Sequence, residues 1–308
     1  LSPDKLLTSP TQERMPALIF DAAFLFAMGA AFSFACADMG MRSGLQHTNP
    51  FVGSTISRSV GVLTLLALIL LLGVRFPPYG EHYLWLAVAG VFNPGLFSIF
   101  FMFGIAKIGV ARAAPIKGIS PLFASFLAII FLGERPEWYH LGGVLFIVTG
   151  IALVSSGRTE GRWRRIDALW PIAAAGFAAV GAVLWRKALP SFPDTLAGAF
   201  VGLVAAFTLV VLYTVTFMRS QIPDGIKRAW KPFLLVGIIG AIGQFFFAAA
   251  LQRGEVYRML ALIQTSPLIT VVFALLFLRR VEFITWRVPA GALLTVSGAI
   301  LVNLRLAN

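Results

Sequence analysis

Three stretches of this chain, Tyr83–Ala106, Thr195–Met218 and Met259–Leu278, contain no Asp, Glu, Lys or Arg. The hydrocarbon core of a bilayer is about 30 Å thick and a helix rises about 1.5 Å per residue, so roughly 20 apolar residues cross it. Each stretch is that long. Lipid offers the backbone no water, so its amides and carbonyls must pair within the segment, which makes each stretch a helix. Composition extends the point to the whole chain: 58% of its 308 residues are hydrophobic and 12% charged, against about 25% charged in a soluble domain. The pattern predicts ten spans, over 20–37, 51–74, 83–106, 111–132, 138–156, 168–187, 195–218, 232–252, 257–278 and 286–304. This is an all-α polytopic membrane fold.

Charges, prolines and glycines gather in short links such as Arg75-Phe76-Pro77-Pro78-Tyr79-Gly80. The net charge of +12 would suggest nucleic acid in a soluble chain. Here the bases flank spans, so anionic headgroups of the lipid bilayer are the expected partner and nucleic acid is not. One cysteine, Cys36, makes no internal disulfide, and no Cys/His cluster calls for a metal or any other cofactor. His47, His82 and His140 lie at span edges, so the buried Asp pair or Ser/His pair of a membrane-embedded enzyme is missing, leaving that a remote alternative. Residues 1–19 read as a polar tail rather than a signal peptide. Trp85, Trp138, Trp163, Trp170, Trp230 and Trp286 fall near span ends, as an interfacial belt requires, and Trp185 reads the same way.

The chain repeats itself. Shifted by 256 − 110 = 146 positions, Val110-x-Arg112 falls on Val256-x-Arg258 and Ser120-Pro121-Leu122 on Ser266-Pro267-Leu268. After a two-residue offset, Glu134, Trp138, Gly143, Gly150 and Val154 meet Glu282, Trp286, Gly291, Gly298 and Val302. The expected domains are a first five-helix repeat over 20–156, a basic linker over 157–167 and a second five-helix repeat over 168–308. Five spans per half is odd, so the second half enters from the opposite face. Such inverted repeats place a substrate site between the halves.

Polar residues inside spans are the candidates for that site. A charge at mid-bilayer costs about 2.5–3.5 kcal/mol on insertion scales. Arg58 and Lys117 approach the same side of the membrane, and Asp38 reaches it from the end of the first span. Either cation suits a substrate carboxylate, with Asp38 holding one of them; a resting Asp38–Arg58 pair is the structural alternative. Asn93, Gln244 and Gln264 present amides at similar depth, suited to a cavity wall or to tying helices together. Pro115, Pro121 and Pro267 would each remove a helical hydrogen bond, and the repeated Ser-Pro favours hinges over static bends. Gly40-x3-Gly44, Gly198-x3-Gly202 and the Gly237, Gly240, Gly243 stripe fit close helix packing, with a monomer as the expectation.

From Ala111 to Phe123, and on through Phe131-Leu-Gly-Glu-Arg-Pro-Glu-Trp138, the sequence resembles the drug/metabolite transporter superfamily, and its ten-helix EamA-type members in particular. The second copy, from Gln264-Thr-Ser-Pro-Leu268 to Glu282, is weaker, with Arg279-Arg280 in place of Gly133-Glu134. The resemblance covers residues 20 to 304 and is nearest to bacterial amino-acid exporters. It implies a carrier in the bacterial inner membrane that exports small zwitterionic metabolites, amino acids first, by alternating access through a central cavity. Carriers of phosphorylated or nucleotide sugars and multidrug pumps are the alternatives. The small proton-coupled relatives carry a membrane-embedded Glu on the first helix; here Asp21 and Asp38 stand only at its ends. Orientation stays open, because the loop bases over Arg158–Arg165 and Arg219–Lys231 place the termini outside by the positive-inside rule while the resemblance implies a cytoplasmic location.

Overall fold

The uncharged runs are helices wherever the chain is described. A computed structural model describes residues 17–18, 21–108, 113, 116–154, 164–266, 268–269 and 287–305. The first part holds α1 (Ala22–Gly44), α2 (Pro50–Leu72), α3 (Glu81–Gly90), α4 (Phe97–Ile108), α5 (Ser120–Leu132) and α6 (Trp138–Val154). The second holds α7 (Leu169–Ala188), α8 (Thr195–Phe217), α9 (Ile222–Arg253), α10 (Val256–Ile263) and α11 (Arg287–Asn303). Among the described residues six helical segments are long and apolar enough to cross a bilayer. Shorter apolar helices cover Ser120–Leu132, Trp138–Leu153 and Leu293–Asn303. The β structure among them is one antiparallel pairing of Ala17–Leu18 with Leu304–Arg305. The protein is a polytopic α-helical membrane protein.

Helix ends follow from local chemistry. Asp21, Asn49 and Asp194 cap α1, α2 and α8 by accepting from Phe24, Val52 and Leu196 amides, which satisfies first-turn donors that lipid cannot. Gly73, at φ +64°, closes α2 in a left-handed conformation suited to glycine. Two expectations need correction. The link over Arg219–Lys231 is helical from Ile222, so α9 begins ten residues ahead of the predicted 232–252 span; Pro223, in its first turn, is compatible with a helical start. Span four is discontinuous: its helix breaks at Gly118–Ile119 and restarts as α5. Pro121 stands in the first turn of α5, where a missing N–H leaves no bond unmade. Pro115, Pro267 and residues 270–278 of the ninth span lie outside the described residues, so the ten-span count rests partly on undescribed segments.

Glycines set the helix spacing. A Cβ on Gly90 would fall within 3 Å of the Gly202 backbone, so α3 and α8 cross nearly backbone to backbone. Gly44 receives the Phe233 ring and Gly243 the Phe34 ring, which joins α1 to α9. Between α6 and α11, Gly143 faces Gly298 and Gly150 faces Gly291.

Candidate functional site

A polar side chain on a membrane helix must find water, a partner or a cavity. Asp38 (α1), Arg58 (α2), Asn93 (between α3 and α4), Lys117 (before the α5 break), Gln244 (α9) and Gln264 (after α10) all line one central cavity. Phe34, Phe97, Phe101 and Phe247 supply apolar wall. Its water-accessible volume is about 80 Å³, room for roughly half a dozen waters at about 10–15 Å³ each.

The chain opens three of its helices to build this wall. Between α3 and α4 the backbone of Asn93 is extended (φ −142°, ψ 111°), and its carbonyl accepts from the Trp185 indole at 2.8 Å. Trp185 is wholly buried. It therefore belongs to the core beside the Asn93 break rather than to the interfacial belt the sequence suggested. The other two breaks, Gly118–Ile119 and Gln264–Thr265, are 146 residues apart, the offset expected of the repeat. They meet: the Gln264 amide donates to the Lys117 carbonyl at 3.1 Å, satisfying one of the acceptors that the first break frees.

Charge pairing differs from the structural alternative read from the sequence. Asp38 does not pair with Arg58. Its Oδ2 accepts from Lys117 Nζ at 3.2 Å, with both side chains nearly buried. The ammonium also lies 4.2 Å from the Phe101 ring centre and 5.9 Å from that of Phe97. Arg58 has no hydrogen-bond or ion-pair partner among the described residues, and its Nε is fully buried. The Gln244 Nε2 is likewise buried without an acceptor. Leaving such donors unmet costs about 1–3 kcal/mol each, more for a charge, unless something in the cavity meets them.

A second polar cluster was not foreseen. Arg258, the arginine of the second Val-x-Arg copy, is buried on α10. It reaches both carboxylate oxygens of Asp21 at 3.1 Å and donates through Nε to the Asn303 side-chain oxygen at 2.8 Å. One residue thus joins the start of the first half to the end of the second. The repeated Val-x-Arg was the available signal. Burial raises the Asp21 carboxyl, but the Phe24 amide and the Arg258 guanidinium outweigh it and hold it below its ordinary value. Glu134, in the link after α5, accepts from the Val256 and Tyr257 amides and so caps α10 from the other half of the chain. Burial dominates there and pushes its carboxyl up despite those two bonds.

The EamA-like transporter family matches residues 21–156 and 165–304. A Streptantibioticus cattleyicolor protein named "Probable terminal-alkyne amino-acid exporter" is 25% identical over 76% of this chain and 77% of its own length. The phosphoenolpyruvate/phosphate translocator 1 of Arabidopsis thaliana chloroplasts is 28% identical over 41% of this chain, which spans 30% of that relative. A solved crystal structure superposes with a TM-score of 0.75 over 92% of this chain and 98% of the other at 17% identity, a likeness of fold.

Proposed function

The chain belongs to the EamA-like transporter family, and on that premise we propose that it is a carrier exporting small carboxylate-bearing metabolites, amino acids foremost, across a bacterial inner membrane. The observation that carries the reading is the convergence of Asp38, Arg58, Asn93, Lys117, Gln244 and Gln264 on one cavity. Unmet donors on Arg58 and Gln244 suit a carboxylate. The amino-acid exporter among the relatives supports the same class.

Alternating access needs two states of near-equal energy, which an inverted repeat supplies. The α6–α11 contacts support two inverted repeats. Gly143 and Gly291 are repeat-equivalent, as are Gly150 and Gly298, yet Gly143 meets Gly298 and Gly150 meets Gly291. Gly143 touches the counterpart of Gly150, and Gly150 the counterpart of Gly143, the reciprocity of a two-fold axis. The crossed order makes the helices antiparallel, so the axis lies in the membrane plane. Pro115, Pro121 and Pro267 are the proposed hinges, at or beside the breaks where Lys117 and Gln264 meet.

A phosphorylated cargo is the second reading, favoured by the translocator relative. Its two charges call for more than Arg58, the one cavity cation without a carboxylate partner among the described residues. Proteoliposomes loaded with a labelled panel of amino acids and sugar phosphates test the proposal. Amino-acid flux above empty liposomes is expected; none for any member of the panel rejects it.

A further inference from the structure

The cavity already contains an ammonium. Lys117 Nζ sits on the Asp38 carboxylate at 3.2 Å and over the Phe101 ring at 4.2 Å. A carboxylate beside aromatic faces is how a protein recognises an amine, and here the chain's own lysine fills that place. The guanidinium of Arg58 is left over, with no acceptor among the described residues. Elsewhere in the same wall, Gln244 is 2% exposed and has an unmet Nε2 donor. The ionisable groups of the wall sum to Arg58 (+1), Lys117 (+1) and Asp38 (−1), a net +1 among the described residues.

We propose that the cargo carries net charge −1, with its anionic group on Arg58, and that each transport cycle moves that charge across the membrane. This rests on the carrier reading and narrows it from zwitterions to monoanions: acidic amino acids, N-acylated amino acids or simple organic acids. In a neutral zwitterion the ammonium cancels the carboxylate, so its binding would leave the wall at +1. A monoanion neutralises the wall as it binds. The charge moved per cycle is the cargo's own, because the empty carrier returns with the same side-chain charges it set out with. Export from a cell with a negative interior is then driven by the membrane potential and needs no coupling ion.

The test uses the full chain in proteoliposomes with labelled glutamate, N-acetyl-leucine, leucine and leucinamide. A tenfold potassium gradient with valinomycin sets about 59 mV, equivalent to a tenfold ratio for one charge. Glutamate and N-acetyl-leucine are expected to accumulate up to tenfold on the positive side. Leucinamide neither moves nor competes. Arg58→Gln lowers anion uptake at least tenfold, while Arg58→Lys retains part of it; if Arg58→Gln does not fold, Arg58→Lys and wild-type competition carry the test. Uptake that ignores the potential, or leucine uptake that N-acetyl-leucine does not inhibit, overturns the charge assignment and leaves the carrier reading standing. Entry of no probe above protein-free vesicles overturns both.

Discussion

Asp38→Asn removes one charge from the Lys117–Asp38 pair while keeping its shape. The two side chains are 4% and 14% exposed, so solvent screens the pair little. Removing one member of a buried pair costs about 3–5 kcal/mol. Two features soften the loss: the asparagine oxygen still accepts, and the Phe101 face 4.2 Å away still attracts the ammonium, an effect of about 2 kcal/mol when desolvated. The expected destabilisation is therefore roughly 2–4 kcal/mol. At about 2–4 °C per kcal/mol, thermal unfolding in detergent should fall by roughly 4–16 °C. Adding Lys117→Met removes the orphaned cation and should restore much of the loss, a coupling of about 2 kcal/mol or more in a double-mutant cycle. A fall under about 2 °C, with coupling inside about 0.5 kcal/mol, would refute the buried pair and the occupied amine site with it.

Other expectations follow from the same packing. Trp185→Phe orphans the buried Asn93 carbonyl and should destabilise by about 1–3 kcal/mol, measured by thermal unfolding. Gly90→Ala drives a methyl into the Gly202 backbone and should abolish a monodisperse peak on size exclusion, whereas Gly142→Ala, with open space around it, should not. For Glu134, whose folded value is raised above 4.5, the contribution to stability is present below that ordinary value and lost as pH rises through the folded one. Glu134→Gln should accordingly gain on wild type as pH climbs through that window; a gap that does not change with pH would contradict the assignment.

Much of the site was legible because lipid penalises polar groups. Arg58, Lys117, Asn93, Gln244 and Gln264 stood out in apolar runs, and each lines the cavity. Their pairing was not legible. Counting residues along a span gives depth but not rotation, and rotation decides that Asp38 meets Lys117 and leaves Arg58 free. The Gly118–Ile119 break hid because an apolar run carries no mark of where a helix restarts; only Ser120-Pro121 hinted at a first turn. Trp185 read as belt from its nearness to a span end, while its buried position depends on the Asn93 break 92 residues away. Asp21–Arg258 spans 237 residues, beyond any local pattern.

The proposed water-accessible cavity lined by Asp38, Arg58 and Lys117 is tested most directly by thiol access. On a Cys36→Ser background, Ser98→Cys places one thiol in the cavity wall and Leu63→Cys places one on an exposed apolar face. A membrane-impermeant charged methanethiosulfonate should modify the Ser98 variant, more slowly when glutamate is present, and leave the Leu63 variant unmodified. A Ser98 variant that stays unreactive from both faces of the membrane, in a protein that still folds, would contradict the account.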